Sequence, residues 1–185
     1  SQGVKDGSIC PVFCGDAHNT YAIDQFLNSL TWLAPSAAAK GDEIGVDLDG
    51  EPVEVAVNIN AATAAIVFKT VADPFIGRLS YVKVVAGKIS SDTPVINMRT
   101  GSPERISKVL TMTGKKQSDT DYIGAGDIGA IPKLVSTKTV DTLCSPLRKV
   151  ILEGVDYPVS SYSMAIYPAK KGDEDKVAQA VAKLA

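Results

Sequence analysis

The sequence is short of the side chains on which most catalytic and metal chemistry depends. Its 185 residues include one histidine, three cysteines and one tryptophan. Three cysteines are too few, and odd in number, for a disulfide framework, so we expect reduced and mostly buried thiols at Cys10, Cys14 and Cys144. An excess of one charge is also missing, because 19 basic and 21 acidic side chains leave a formal net charge of −2. The remaining composition, 45% hydrophobic and 22% charged, is typical of a chain with a packed core.

Long hydrophobic runs and a phosphate-binding loop are missing as well. The longest uncharged stretch rich in apolar residues, 56–68, is shorter than the roughly 18 to 20 residues of a membrane span, so we expect no membrane partner. The pattern G-x-x-x-x-G-K-[ST], whose lysine and hydroxyl hold a triphosphate and its magnesium, does not occur. We therefore expect no catalytic residue and no cofactor in this chain. Its first residues, Ser-Gln-Gly-Val-Lys, include no methionine, which indicates a processed product or a piece of a longer protein.

Three motifs that suggest metal or dinucleotide binding each have a better structural interpretation. Cys10, Cys14 and the sole histidine, His18, follow one another at a spacing of four, but in a strand over 9–14 the two cysteines would lie about 13 Å apart, too far for one zinc ion. The acidic run ending at Asp49-Gly50 lacks the glycine at the sixth position of a calcium loop and favours a hairpin turn. Gly124–Gly129 matches G-x-G-x-x-G, but Pro132 follows in a strand-like run, so we predict a glycine-containing strand. We expect no metal site.

The first 60 residues read as two segments. Residues 1–36 hold a short apolar run at 9–14, which predicts a buried strand, and then a helix. Asn19 or Thr20 is the candidate cap, and Ala34-Pro35 ends the helix. Its apolar face is formed by residues at three- and four-residue spacing: Ile23, Phe26, Leu27, Leu30 and Leu33. Residues 37–60 predict a linker with a possible hairpin about Asp49-Gly50.

The rest of the chain predicts a β unit followed by the start of another domain. Residues 61–149 contain short strand patterns, without helical periodicity, near 64–70, 78–86, 93–98, 105–114, 126–132 and 141–144. Regular short strands without helices favour a small closed or nearly closed β-barrel. In residues 150–185, alternating Tyr162, Met164 and Ile166 predict a strand, and a helix follows from Asp173 with its acidic residues in the first turn. The fold class is mainly β.

Charge is distributed unevenly along the chain. Residues 1–60 carry 2 basic and 9 acidic side chains, whereas residues 61–149 carry 13 basic and 7 acidic ones. Residues 150–185 carry 4 and 5. A basic segment suggests a polyanion as partner, although an ordinary solvated surface has the same signature.

One run of residues is specific enough to name a family. The stretch Asp73-Pro74-Phe75-Ile76-Gly77-Arg78-Leu79, which continues to Gly87, resembles the second domain of bacterial elongation factor G. The resemblance continues in order through 105–112, 125–128 and 141–144. Residues 157–158, 164–168 and the helix from 173 look like the opening strand and helix of that family's third domain. Residues 11–17, the following helix and Pro35 resemble the end of its GTPase domain, and 36–60 match least. The resemblance implies an internal fragment.

The resemblance implies that the parent protein is a cytoplasmic, ribosome-dependent GTPase that uses GTP and magnesium to move tRNA and mRNA. Gly15, Asp16 and Ala17 would then be the remnant of the last guanine-recognition loop, usually Gly-Ser-Ala, in which a backbone N–H makes the guanine contact. Asp16 departs from that pattern, and Val140 stands where the family usually has glycine. Asp16 does not exclude GTP binding by the parent, but it suggests a divergent paralogue.

The resemblance also implies a docking role for the β unit. In this family the second domain contacts RNA of the small ribosomal subunit, and lysine and arginine supply affinity by displacing counterions from phosphates. The candidates for such contacts flank the predicted strands: Arg99, Arg105, Lys108, Lys115 and Lys116. Each is equally compatible with a solvated strand face. Gly77 and Arg78 are candidates for the interface with the GTPase domain.

Other functions remain open from the sequence. Ribosomal protection and release-factor-like GTPases have barrels of similar architecture, so the chain is alternatively a fragment of one of these GTPases. From a different class, a non-catalytic protein-interaction barrel with an acidic N-terminal part has the same composition. We expect no DNA partner, and any oligomer is expected to follow from truncation.

Overall fold

The computed structural model describes residues 2–73 and 76–184, with side chains up to residue 182. The helices of this part of the chain are α1 (Gln2–Lys5), α2 (Ile23–Leu33), a 3₁₀ helix (Ala37–Lys40) and α3 (Glu174–Leu184). The strands before residue 100 are β1 (Glu43–Val46), β2 (Pro52–Val55), β3 (Ala64–Asp73), β4 (Gly77–Ala86), β5 (Lys88–Ser90) and β6 (Val95–Asn97). The later strands are β7 (Pro103–Glu104), β8 (Val109–Thr113), β9 (Lys116–Thr120), β10 (Tyr122–Gly124), β11 (Ile128–Pro132), β12 (Thr142–Cys144) and β13 (Ile151–Leu152).

The strands form one large antiparallel sheet and two small ones. The large sheet has eight strands in the order β7-β6-β12-β3-β4-β11-β8-β9, and β13-β1-β2 and β10-β5 form the small sheets. This arrangement confirms the mainly β fold. The ladder does not close into a barrel, however, since β7 and β9 remain its edges within the described residues. The ladder is shortest between β11 and β8, where Ala130 and Leu110 are the only register pair among the described residues.

The long hairpin of β3 and β4 carries the core of the β unit. Val67 lies opposite Val82, and alternate residues of both strands point inward, as the period of a strand requires. The inward side chains belong to a buried cluster that includes Val82, Val84, Ile89, Ile106, Ile131 and Leu143. Burial of this kind stabilises by about 25 cal/mol for each Å² of apolar surface removed from water. The predicted strands near 64–70 and 78–86 are therefore confirmed, each slightly longer than expected.

Several strands between residues 87 and 124 carry no strong sequence signal. The expected strand over 105–114 begins only at Val109, and it is followed by β9, whose residues 116–120 are all polar. The two strands are joined by Gly114-Lys115, and Gly114 has φ +58°, which matches the first position of a type II′ hairpin turn. Polar strands such as β9 lack the alternation on which the prediction depends.

The predicted hairpin near Asp49-Gly50 is present as β1 and β2. The Asp47 carboxylate accepts the N–H groups of Asp49 and Glu51, and Gly50 has the positive φ, +85°, that this turn needs. The hairpin pairs with β13, and Val55 and Leu152 pack with Ala64 and Val85 in a second buried cluster. The hairpin therefore packs on the same β unit as the residues that follow it.

The glycine-rich run at 124–129 is a turn and a strand. Gly126, with φ +87°, lies between β10 and β11, and no helix follows it. Gly129 packs so closely that a Cβ there would overlap with Ile123 Cδ1. The predicted glycine-containing strand is confirmed.

The N-terminal segment differs from its prediction in two respects. Residues 9–14 form no strand, and Ile9, Val12 and Phe13 are exposed. Helix α2 does end before Pro35, but its N-cap residue is Ala22, with φ +61° and no side-chain cap hydrogen bond, so neither Asn19 nor Thr20 caps it. Cys10 and Cys14 are exposed in this segment and only Cys144 is buried, so the expectation of mostly buried thiols is wrong.

The C-terminal segment keeps its helix but not its strand. Helix α3 begins with Glu174 and Asp175 in its first turn, as predicted, while the side chain of Leu184 lies outside the described residues. Tyr162, Met164 and Ile166 are exposed and irregular. A strand needs a neighbour for its backbone hydrogen bonds, and none of the described strands pairs with 162–166 or with 9–14. Across the described residues, the helices are too short and too polar to traverse a bilayer.

Candidate nucleic-acid interface

The tip of the β8–β9 hairpin presents two adjacent cations. Lys115 lies in the two-residue turn and Lys116 opens β9, and both are exposed. The tight turn fixes their backbone, so the two ammonium groups extend from a defined edge of the large sheet. A pair of lysines in this position suits contact with a phosphate backbone.

Two further predicted cations lie on the surface with acidic neighbours. Arg105 Nε lies 3.9 Å from Asp92 Oδ1, and Arg105 is 89% exposed. Lys108 Nζ lies 3.1 Å from Asp119 Oδ1, and this pair is also accessible to solvent. Exposed ion pairs contribute little to stability, about 0 to 1 kcal/mol. Either cation can therefore leave its acidic neighbour and pair with an external anion.

Arg99 is placed differently from the other predicted cations. Its Nε donates to Asp141 Oδ1 at 2.6 Å, and its Nη2 donates to Asp141 Oδ2 at 2.9 Å and to the Ser136 carbonyl at 2.7 Å. The Asp141 side chain is 4% exposed, whereas that of Arg99 is 46% exposed. The guanidinium therefore compensates a buried carboxylate with its inner edge and faces solvent with its outer edge.

The Asp141 carboxylate accepts hydrogen bonds from three residues, Asn97, Arg99 and Lys138. Asn97 Nδ2 donates to Asp141 Oδ2 at 2.7 Å, and the N–H of Lys138 donates to the same oxygen at 2.8 Å. Burial acts to raise the pKa of Asp141, but the hydrogen bonds from Arg99, Asn97 and Lys138 outweigh it and hold that pKa below its ordinary value. Asp141 is thus ionised at neutral pH.

Glu104 binds the segment before Asp141 through a similar set of hydrogen bonds. Its carboxylate accepts the N–H groups of Val135 and Ser136 at 3.0 and 2.8 Å, and the hydroxyls of Ser136 and Thr137 at 2.9 and 2.8 Å. Burial again acts to raise the pKa of Glu104, and these hydrogen bonds bring it below its ordinary value. Sequence reasoning missed both Glu104 and Asn97. The available signal was a polar side chain next to strands that are otherwise apolar.

Gly77 and Arg78 join the β3–β4 turn to this network. Gly77 has φ +88° and lies opposite Asp73. Arg78 Nη1 lies 3.5 Å from the Thr137 carbonyl, and the Arg78 carbonyl accepts the N–H of Lys133 at 2.8 Å. Pro74 and Phe75, which complete the motif that carries the resemblance, lie outside the described residues.

The loop at Gly15, Asp16 and Ala17 is turned back on itself. The Asp16 carboxylate accepts the Asn19 side-chain amide at 2.6 Å and the N–H groups of Asn19 and His18. These bonds, the Asn19 side chain first, lower the pKa of Asp16. The N–H of Asp16 donates to the Tyr21 carbonyl, and a Cβ at Gly15 would lie 3.0 Å from that oxygen. Ala17 is exposed. The loop therefore exposes backbone groups to solvent, and residues 15–17 form no arrangement for binding phosphate.

The β unit and the segments on either side of it match known proteins. A family model described as Elongation factor G domain 2 matches residues 62–146. The chain is 34% identical over 184 residues to elongation factor G of Chlamydia trachomatis serovar D, and the match covers 99% of this chain and 26% of that protein. It is 37% identical over 185 residues to elongation factor G of Cytophaga hutchinsonii, with 99% and 26% covered. For elongation factor G of Ureaplasma parvum serovar 3 the values are 35% over 184 residues, with 100% and 27% covered.

The chain spans about a quarter of the length of these curated relatives. The match includes the basic hairpin, the Glu104–Asp141 network and both flanking segments. Residues 62–146 therefore match the family model of elongation factor G domain 2, and the chain is similar over nearly all of its length to elongation factor G.

Proposed function

We propose that this chain is part of a ribosome-dependent translational GTPase and that its β unit docks on RNA of the small ribosomal subunit. The observation that carries the proposal is the exposed pair Lys115 and Lys116 at the tip of a tight hairpin, in a domain of elongation factor G type. The same proposal places the protein in the cytoplasm. Docking needs no catalytic group, and we propose none in this chain.

Charge supports phosphate contact as the source of affinity. Residues 61–149 carry 13 basic and 7 acidic side chains, and Arg105, Lys108, Lys115 and Lys116 all reach solvent. Cations that neutralise phosphates release counterions, which gives affinity that depends on salt but not on base sequence. The proposed role is therefore to position the protein on the subunit.

GTP and magnesium belong to the proposed activity of the longer protein. Among the residues of this chain, 15–17 would supply at most one backbone contact to guanine, from the Ala17 N–H. The Asp16 carboxylate is occupied by Asn19 and His18, and the sequence contains no phosphate loop. The proposed docking function does not depend on the nucleotide.

The experiment compares equilibrium binding of the full chain to purified bacterial small ribosomal subunits at several salt concentrations. Replacing Lys115 and Lys116 with glutamine should weaken binding and reduce the slope of log K against log salt by about 2, one for each phosphate that the chain no longer neutralises. The matched control replaces Lys170 and Lys171, an adjacent exposed pair outside the β unit, and should leave the slope unchanged. Equal behaviour of the two double variants would refute the proposed hairpin contact.

A further inference from the structure

Hydrogen bonds to two buried carboxylates hold part of the loop between β11 and β12 in one conformation. The 133–138 loop, as we call Lys133–Lys138, has three consecutive residues bonded to the buried carboxylate of Glu104. Its last residue donates its N–H to Asp141. The loop therefore presents its outer surface to solvent without losing conformational freedom on binding, which favours recognition of a partner.

Four cations surround this loop. Arg99 Nη2 donates to the Ser136 carbonyl at 2.7 Å, and Arg78 Nη1 lies 3.5 Å from the next carbonyl along the chain, that of Thr137. Lys133 and Lys138 are the two ends of the loop, and both are exposed. Two guanidinium and two ammonium groups are thus gathered about six residues.

The neighbouring acidic side chains point inward. Glu104 is 4% exposed and Asp141 is 5% exposed, and both carboxylates accept hydrogen bonds from the surrounding chain. Between residues 128 and 140 the sequence contains no acidic residue. The charge that this loop presents to solvent is therefore positive, although the net charge of the chain is negative.

The 133–138 loop is linked to the β8–β9 hairpin. Gln117, the residue after Lys116, donates from Nε2 to Asp73 Oδ2 at 3.2 Å. Asp73 pairs with Gly77, which precedes Arg78. Contacts therefore run from the hairpin to the loop through Asp73 and Arg78.

We propose that the 133–138 loop is a second docking point for the phosphate backbone of ribosomal RNA, made by Lys133 and Lys138. Arg78 and Arg99 act there as positioning residues that hold the loop carbonyls and add positive charge. This inference rests on the proposed docking function. It adds a contact that the sequence pattern did not indicate, since neither lysine stood out in the sequence.

The test measures equilibrium binding of the full chain to purified bacterial small ribosomal subunits over a salt series. Replacing Lys133 and Lys138 with glutamine should reduce the slope of log K against log salt by about 2, while the glutamine pair at Lys170 and Lys171 leaves it unchanged. Replacing Lys133 and Lys138 with arginine retains the charge and should restore the slope. Thermal unfolding shows whether the Lys133 and Lys138 glutamine variant is folded. If that variant is unfolded, the arginine variant still tests whether positive charge at these two positions supports binding.

The outcomes separate this inference from the proposed function. If the wild-type chain binds in a salt-dependent manner and the Lys133 and Lys138 glutamine variant binds identically, the loop contact is wrong and the docking function stands. If the arginine variant binds as poorly as a folded glutamine variant, charge at the loop is not the cause and the loop contact is again overturned. If the wild-type chain does not bind, both proposals fail.

Discussion

At the scale of single residues, Glu104 and Asp141 determine how the neighbouring cations are used. Both carboxylates are buried and ionised, and both accept several hydrogen bonds from the segment 135–138 or from Arg99. A buried charge is tolerated only when such donors surround it. Asp141 thus holds Arg99 directly, and Glu104 holds Ser136, whose carbonyl accepts from Arg99. In the sequence, Arg99 is indistinguishable from the exposed cation Arg105.

The same two residues predict how stability depends on pH. The folded pKa of each lies below its ordinary value, so each contributes stability that is present above the unfolded pKa of about 4 and is lost as pH falls through the folded pKa. The free energy of unfolding should therefore decrease between about pH 5 and pH 2. Urea unfolding at several pH values measures this decrease.

Glu104→Gln tests the contribution directly. Glutamine places an NH₂ group against N–H donors, so we expect a loss of about 1 to 3 kcal/mol at neutral pH and a shallower decrease in acid. Glu153→Gln, at an exposed glutamate, is the control and should change neither quantity. A Glu104→Gln protein as stable as the wild type, with the same acid dependence, would contradict the account of the network.

At the scale of elements, tight turns join the strands of the β unit, and the turn at Gly87 packs against the backbone of a neighbouring segment. It joins β4 to β5 with φ +70°, and a Cβ there would lie 2.7 Å from the Ala61 carbonyl oxygen and 2.8 Å from Thr63 Cα. Backbone atoms cannot move aside as the end of a flexible side chain can. Gly87 therefore combines a left-handed conformation with close backbone packing.

Gly101 provides a matched comparison for Gly87. Its φ is +69°, and no heavy atom lies within 4 Å of a Cβ built there. Gly101→Ala should cost only the left-handed strain, about 1 to 2 kcal/mol, whereas Gly87→Ala should cost about 1 to 3 kcal/mol more because of overpacking. Chemical denaturation of the two variants measures the difference. Equal losses would show that the 61–63 backbone yields to the added methyl group.

The elements also show what the sequence could predict. The β3–β4 hairpin, the Asp49-Gly50 turn and both long helices follow from periodicity and turn residues, which are local signals. Strands β5, β9 and β10 are short or polar, and their pairing depends on partners distant in the chain. Residues 9–14 and 162–166 have strand-like apolar patterns, but an apolar pattern alone does not supply a neighbouring strand.

The candidate site was predicted only in part for a similar reason. Cations that flank strands can be read from the sequence, and Lys115 and Lys116 lie on the surface where docking requires them. Whether a cation is paired with a buried acid depends on tertiary contacts. Arg99 lies 42 residues from Asp141 in sequence, and Glu104 lies 31 to 33 residues from the N–H and hydroxyl groups that it accepts.

At the scale of the whole molecule, the distribution of charge matters more than the total. A net charge of −2 gives no reason to expect a polyanion partner, yet the β unit carries 13 basic and 7 acidic side chains. Burial of Glu104 and Asp141 increases the contrast, because it removes negative charge from the surface near the 133–138 loop. The β8–β9 hairpin and this loop together give the β unit a surface suited to phosphate.

The most direct test of this account is the salt dependence of the unmodified chain's affinity for purified bacterial small ribosomal subunits. We predict that log K decreases linearly with log salt, with a slope that corresponds to about two phosphate contacts at the hairpin and about two at the loop. Binding that does not change between low and high salt, or no binding at low salt, would contradict the central claim that this domain docks through phosphate contacts.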